Sequence, residues 1–274
     1  MEEWSFIDEL KRRTPNLARA ALLFSREIAY PQLDIQHYLA EIRALSVEAE
    51  ATIPVDVSVH VKAELLAEFL FKGKGFQGNT AVYGDPRNSY LNEVLDRRLG
   101  IPITLSVLYV TVANYLQLPA FGVGMPGHFI VAVRSEHGHT SYFDPFHGGG
   151  RLSTADCARL VQLTVGYDGP FQEDWLYTVS SRTILTRMLT NLRISYMQHE
   201  KWQLATAVLK KLRFLQPHST ELLRDLGVVY FQQGNTPLAA YYLNEYLSKT
   251  PDASDRNVIQ QGIAQVIDKW ARQN

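Results

Sequence analysis

Residues 100–112 read Gly100-Ile101-Pro102-Ile103-Thr104-Leu105-Ser106-Val107-Leu108-Tyr109-Val110-Thr111-Val112, and the fold turns on this stretch. Apolar residues fall all round a helix here rather than on one stripe, so the segment belongs at the centre of a domain. Pro102 suits the first helical turn, where its missing N–H would have no partner in any case. The apolar run from Ile101 to Leu118 is broken by Pro102, Thr104, Ser106, Asn114 and Gln117. It falls short of a membrane span and reads as a buried core helix.

Upstream, the first 72 residues read as helices. Leu17, Ala21, Phe24 and Ile28 share one helical face, and Pro31 ends the run. Asp34 caps a second helix carrying Ile35, Leu39, Ile42 and Leu45, and a third follows Pro54. Residues 73–87, with four glycines, form a loop. A helix is expected to begin at Pro86 behind an Asp85 cap and to stop at Gly100. Downstream the period changes to that of strands: 121–125, 129–133 and 140–143, the last two joined as an antiparallel hairpin by His137-Gly138-His139. Gly148-Gly149-Gly150 is another turn, and Ser153 caps a short helix to Val165. The three glycines lack the following Lys-Ser or Lys-Thr of a phosphate loop.

From Ser181 the chain is helical and repeats. Tyr196 and Tyr230, Ala205 and Ala239, and Pro217 and Pro251 are each 34 residues apart. That period, with Leu226-Gly227 ahead of Tyr230, is the tetratricopeptide signature. Alanine lets the two helices of a unit approach, and proline ends the second one. A last helix, 257–270, is expected to cap the stack.

A helix start at Pro102, a histidine opening a strand (Gly127-His128-Phe129) and an aspartate closing the next (Asp144-Pro145) follow the layout of a thiol triad. In such a triad the helix N-terminus stabilises a thiolate, the imidazole takes its proton and the carboxylate orients the ring. The chain resembles the transglutaminase-like core. More closely, Asn88-Ser89-Tyr90-Leu91, Gly100 to Ser106, Pro126-Gly127-His128-Phe129 and Asp144-Pro145-Phe146 are similar to the bacterial SirB-type family, which joins such a core to tetratricopeptide repeats. The resemblance covers about Ala20 to about Pro251. It implies that His128 and Asp144 stand at the catalytic histidine and aspartate, and that Pro102 stands where the nucleophilic cysteine belongs. Thr104 or Ser106 as a replacement hydroxyl, Cys157 as a displaced thiol, and His128, Asp144 and His147 as metal ligands are the competing readings. No tight i, i+4 ligand pair supports a metal, and none is expected.

The 274 residues are 46% hydrophobic and 20% charged, with a formal net charge of −1. Such a chain builds a core and has no long-range pull toward nucleic acid or anionic membrane. The single cysteine, Cys157, excludes internal disulfides and suits a reducing compartment. The N-terminus lacks the basic-then-apolar pattern of a secretory signal, so a cytoplasmic protein is expected. The expected fold is α+β: a helical N-terminal region with a transglutaminase/papain-like core and small antiparallel sheet over 1–178, then tetratricopeptide-like helical repeats over 179–274. The expected role is non-catalytic: a binding or regulatory module for a protein or peptide, without a cofactor. Asn88, Tyr90, Tyr230 and Tyr241 are candidate contacts. The alternative is a residual hydrolase or acyltransferase of the cysteine-peptidase-like class using His128 and Asp144.

Overall fold

The computed structural model describes residues 4–262. The chain divides into two compact units, Met1–Met188 and Leu189–Asn274. The division falls ten residues beyond the boundary expected at 178/179, inside the helix that opens at Ser181.

In the first unit, α1 (Phe6–Leu10), α2 (Leu17–Ile28), α3 (Ile35–Thr52) and α4 (Val59–Ala67) precede a π-helical segment, Glu68–Gly73. The starts of α2, α3 and α4 are each capped by a side chain. Asn16 accepts from Arg19 N, Asp34 from Gln36 N and His37 N, and Ser58 from Val61 N. The helix expected from Pro86 comes in two pieces. Asp85 caps a 3-10 turn, Pro86–Ser89, and Tyr90 is extended before α5 (Leu91–Arg97). Gly100 does not end α5. Arg98 does so, in the left-handed conformation at φ 60°. Gly100 instead belongs to β2 (Leu99–Gly100), which pairs in parallel with β1 (Gln77–Gly78).

The apolar stretch that follows Gly100 is α6 (Pro102–Tyr115), and residues 102–113 are all buried. It packs on α2, α3, α4, α5, β3 (Ala120–Val123) and β4 (Ile130–Arg134). The antiparallel sheet runs β3-β4-β5-β6, with β5 Thr140–Asp144 and β6 Gly150–Leu152. β6 was not expected from the sequence: only three residues long, it shows no alternation to read. The free edge of β3 is covered by residues 178–179, Val179 N donating to Gly122 O at 2.9 Å.

The two faces of the sheet follow the pleat. On one, Phe143 stacks on Tyr109 of α6 (centroids 6.2 Å apart), and Tyr109 on Phe71 (6.3 Å). On the other, Ile130, Ala132 and Tyr142 pack with Val123 and Met125 against Cys157 and Val161 of α7 (Thr154–Val165). The sheet is thus a layer between α6 and α7, with Asp144 at the end of β5 where both layers meet the 144–149 turn.

The second unit begins within α8 (Ser181–Gln198) and continues through α9 (Trp202–Leu215), α10 (Glu221–Gln232) and α11 (Thr236–Lys249). Ala205 and Ala239 are fully buried, Tyr196 and Tyr230 nearly so. Pro217 and Pro251 each follow a helix end by two residues, as a terminator should. These are tetratricopeptide repeats. Residues 256–262 are helical; the remainder of the expected capping helix lies outside the described residues. Gly227 is required by close approach: a Cβ there would stand 2.5 Å from the Leu243 side chain and 3.2 Å from its backbone nitrogen. Gly227→Ala is therefore expected to destabilise the repeats by about 1–3 kcal/mol despite alanine's better helix propensity. Urea unfolding followed by helical circular dichroism checks it; an unchanged or raised midpoint would refute the packing argument.

Candidate functional site

The start of α6 carries no thiol. Pro102 sits at its first position behind an extended Ile101. Thr104 Oγ1 accepts from Ile101 N (3.1 Å) and lies 2.7 Å from Asn88 O. Ser106 Oγ donates to Pro102 O at 2.8 Å. Both hydroxyls are fully buried and hydrogen-bonded to backbone groups, not to a base that would make an alkoxide. Cys157 is buried in the apolar cluster on the far face of the sheet. Burial, then the charges of Asp156 and Asp144, push its thiol up to about 11, which disfavours the thiolate.

His128 and Asp144, the residues expected at the other two triad positions, come together. His128 Nε2 lies 3.0 Å from Asp144 Oδ2, and both residues are buried. Asp144 Oδ1 accepts from Phe146 N (3.0 Å) and His147 N (3.4 Å). His147 Nδ1 comes to 2.7 Å from the same Oδ2 that His128 meets. Four contacts thus converge on one carboxylate. Burial alone would raise its pKa, but the hydrogen bonds and charges of His128, then His147, outweigh that and hold the carboxyl below its ordinary range. His147 is brought in by the turn after β5, which closes with Gly149 N donating to Asp144 O at 2.7 Å. Gly149 must be glycine: its φ is +75°, and a Cβ would overlap the Phe71 ring.

Phe146 connects this cluster to the helix start. Its ring stands 6.2 Å from His128 and 5.8 Å from Tyr83, edge to face in each case. The same ring lies over Gly78, where a Cβ would come within 2.5 Å of it, and Gly78 pairs with Gly100 two residues before Pro102. An aromatic ring therefore occupies the ground beside His128. Asn88 shapes the loop that brings Tyr83 there. Its Oδ1 accepts from Asn79 and Arg97, and its Nδ2 donates to Val82 O and Tyr83 O. With those bonds made and its side chain fully buried, Asn88 is a brace. Tyr90 is likewise buried, between Phe24 and Tyr30. In the repeats Tyr230 is buried and stacked on Tyr242, and Tyr241 is 60% exposed.

One contributor gave no sequence signal. Arg187, 59 residues beyond His128, donates from Nη2 to Met125 O and His128 O, each at 3.2 Å, and lies over the Phe129 ring. Gly124 leaves the room for its guanidinium. Arg187 thereby clamps the turn that presents His128. No motif links positions so far apart in the chain.

Asp144 makes the acid stability of the fold testable. Its carboxyl is held below the unfolded value of about 3.9, so its contribution is complete above that pH and is lost as pH falls through the lower, folded value. Asp144→Asn is expected to lower the urea midpoint at neutral pH by the equivalent of about 1–3 kcal/mol. The gap to the parent should close as pH drops below about 4. A gap that is constant with pH would show that the carboxylate's charge contributes nothing.

A sequence model of the transglutaminase-like superfamily matches residues 36–190, and one for a tetratricopeptide repeat matches residues 192–264. A UPF0162 protein of Xylella fastidiosa is 33% identical over 267 residues, covering 94% of this chain and 92% of that protein. SirB1 of Salmonella typhimurium is 24% identical over 252 residues, 90% of this chain and 92% of that one. Mouse F-box only protein 21 is 32% identical over 181 residues, covering 61% of this chain and 27% of its own length. With the buried helix, the His128–Asp144 pair and the repeats in place, the chain belongs to the transglutaminase-like superfamily, in the SirB-type family that follows such a core with tetratricopeptide repeats.

Proposed function

We propose that this protein is a non-catalytic, cytoplasmic binding or regulatory module that takes a protein or peptide partner through its core cleft and its repeats. The observation that carries the reading is Pro102 at the head of α6. Removing the nucleophile from a catalytic unit of this kind abolishes most of its rate, and neither nearby hydroxyl nor Cys157 replaces it. Phe146 beside His128 takes space that an acyl substrate would need. Tetratricopeptide stacks present helical surfaces to peptide segments, and here Tyr241, Phe231 and Leu238 are exposed on α10 and α11. Among the described residues no helix is long and apolar enough to cross a membrane.

The intact His128–Asp144 pair favours a second reading, a residual hydrolase or acyltransferase. Labelling separates the two. The folded chain treated with iodoacetamide or a fluorophosphonate is expected to show no stoichiometric adduct by intact-mass spectrometry. One adduct per chain that disappears in His128→Ala would replace the binding reading with the enzymatic one. For binding itself, peptides selected from a display library on the full chain are expected to lose at least about tenfold in affinity on Tyr241→Ala, the scale of one exposed aromatic anchor. Failure to enrich any sequence would defeat the proposal.

A further inference from the structure

His147 was the weakest candidate in the sequence, and in the structure it completes a set. His128, Asp144 and His147 each offer one ligand atom, and the three atoms lie within 4.8 Å of one another. We propose that these residues bind a single divalent transition-metal ion, with zinc the best chemical match. Two imidazole nitrogens and one carboxylate oxygen form a recurrent zinc ligand set that leaves a fourth position open. Calcium and magnesium prefer all-oxygen shells and are disfavoured by it.

The geometry supports more than the choice of residues. Both imidazoles turn a nitrogen to the same oxygen, Asp144 Oδ2, at 3.0 and 2.7 Å, so the three donor atoms already lie next to one another. The carboxylate is oriented from behind: its Oδ1 takes the N–H groups of Phe146 and His147, the outer-shell arrangement that fixes a ligating carboxylate. His128 and Asp144 are buried, with side chains 3% exposed, while that of His147 is 54% exposed. Two ligands are therefore held rigidly. The third, on a surface turn, has room to open the triangle to zinc–ligand distances of about 2.0–2.2 Å.

The test uses the full chain, stripped with EDTA and then titrated with zinc chloride against a chromophoric chelator. One zinc per chain is expected, with a thermal midpoint that rises as zinc is added. His147→Gln keeps an N–H for Asp144 but removes a ligand, and it should weaken binding by at least about 100-fold while melting like the parent in EDTA. His139→Ala, an exposed histidine on the hairpin turn, should bind as the parent does. Cobalt substituted for zinc should give the intense visible bands of a four- or five-coordinate site. If the parent binds no zinc at micromolar concentration, or His147→Gln binds it as tightly as the parent, the cluster is a hydrogen-bonded group only and the proposal is overturned.

Discussion

A helix that is apolar on every face is stable only when other elements surround it, and α6 imposes that requirement on the whole first unit. Helices α2 to α5 cover it from one side and the sheet from the other. The aromatic column Phe71–Tyr109–Phe143 ties α6 to the π-helical segment and to β5, and Tyr109 donates its hydroxyl to Ala63 O at 2.8 Å. Because the helix must be buried, so must its first turn. Proline suits that turn, where its missing N–H would have no partner in any case.

The second constraint is a carboxylate out of water. A buried charge is costly unless its lone pairs are matched, and Asp144 is matched four ways. Those four contacts set the positions of His128, Phe146 and His147. They also account for the turn geometry at Gly149 and place Phe146 between the imidazole and the β1–β2 pair. The site and the end of the sheet are in this sense one structure.

Much of this was legible in the chain. Caps at Asp34 and Ser153 are local, because a side chain two or three residues from an amide meets it whatever the rest of the protein does. The 34-residue period was visible because each repeat buries the same small and aromatic positions. The break at Tyr90 was not. A helix starting at Pro86 satisfies every local rule, but Tyr90 is extended and packed against Phe24 and Tyr30, neighbours 60 or more residues away. Gly100 misled for a related reason. Glycine ends helices, but it also permits close backbone approach, and here it pairs with Gly78.

By itself, then, the sequence determined the elements with short-range causes: the buried helix, its proline start, the hairpin and the repeats. Only the tertiary structure decided what those residues face. It brought His147 to Asp144, put Phe146 beside His128, closed Asn88 within its own loop and set Arg187 behind the His128 turn. Such contacts depend on the three-dimensional path of chain segments, which carries no periodicity and no fixed spacing for a linear reading to detect.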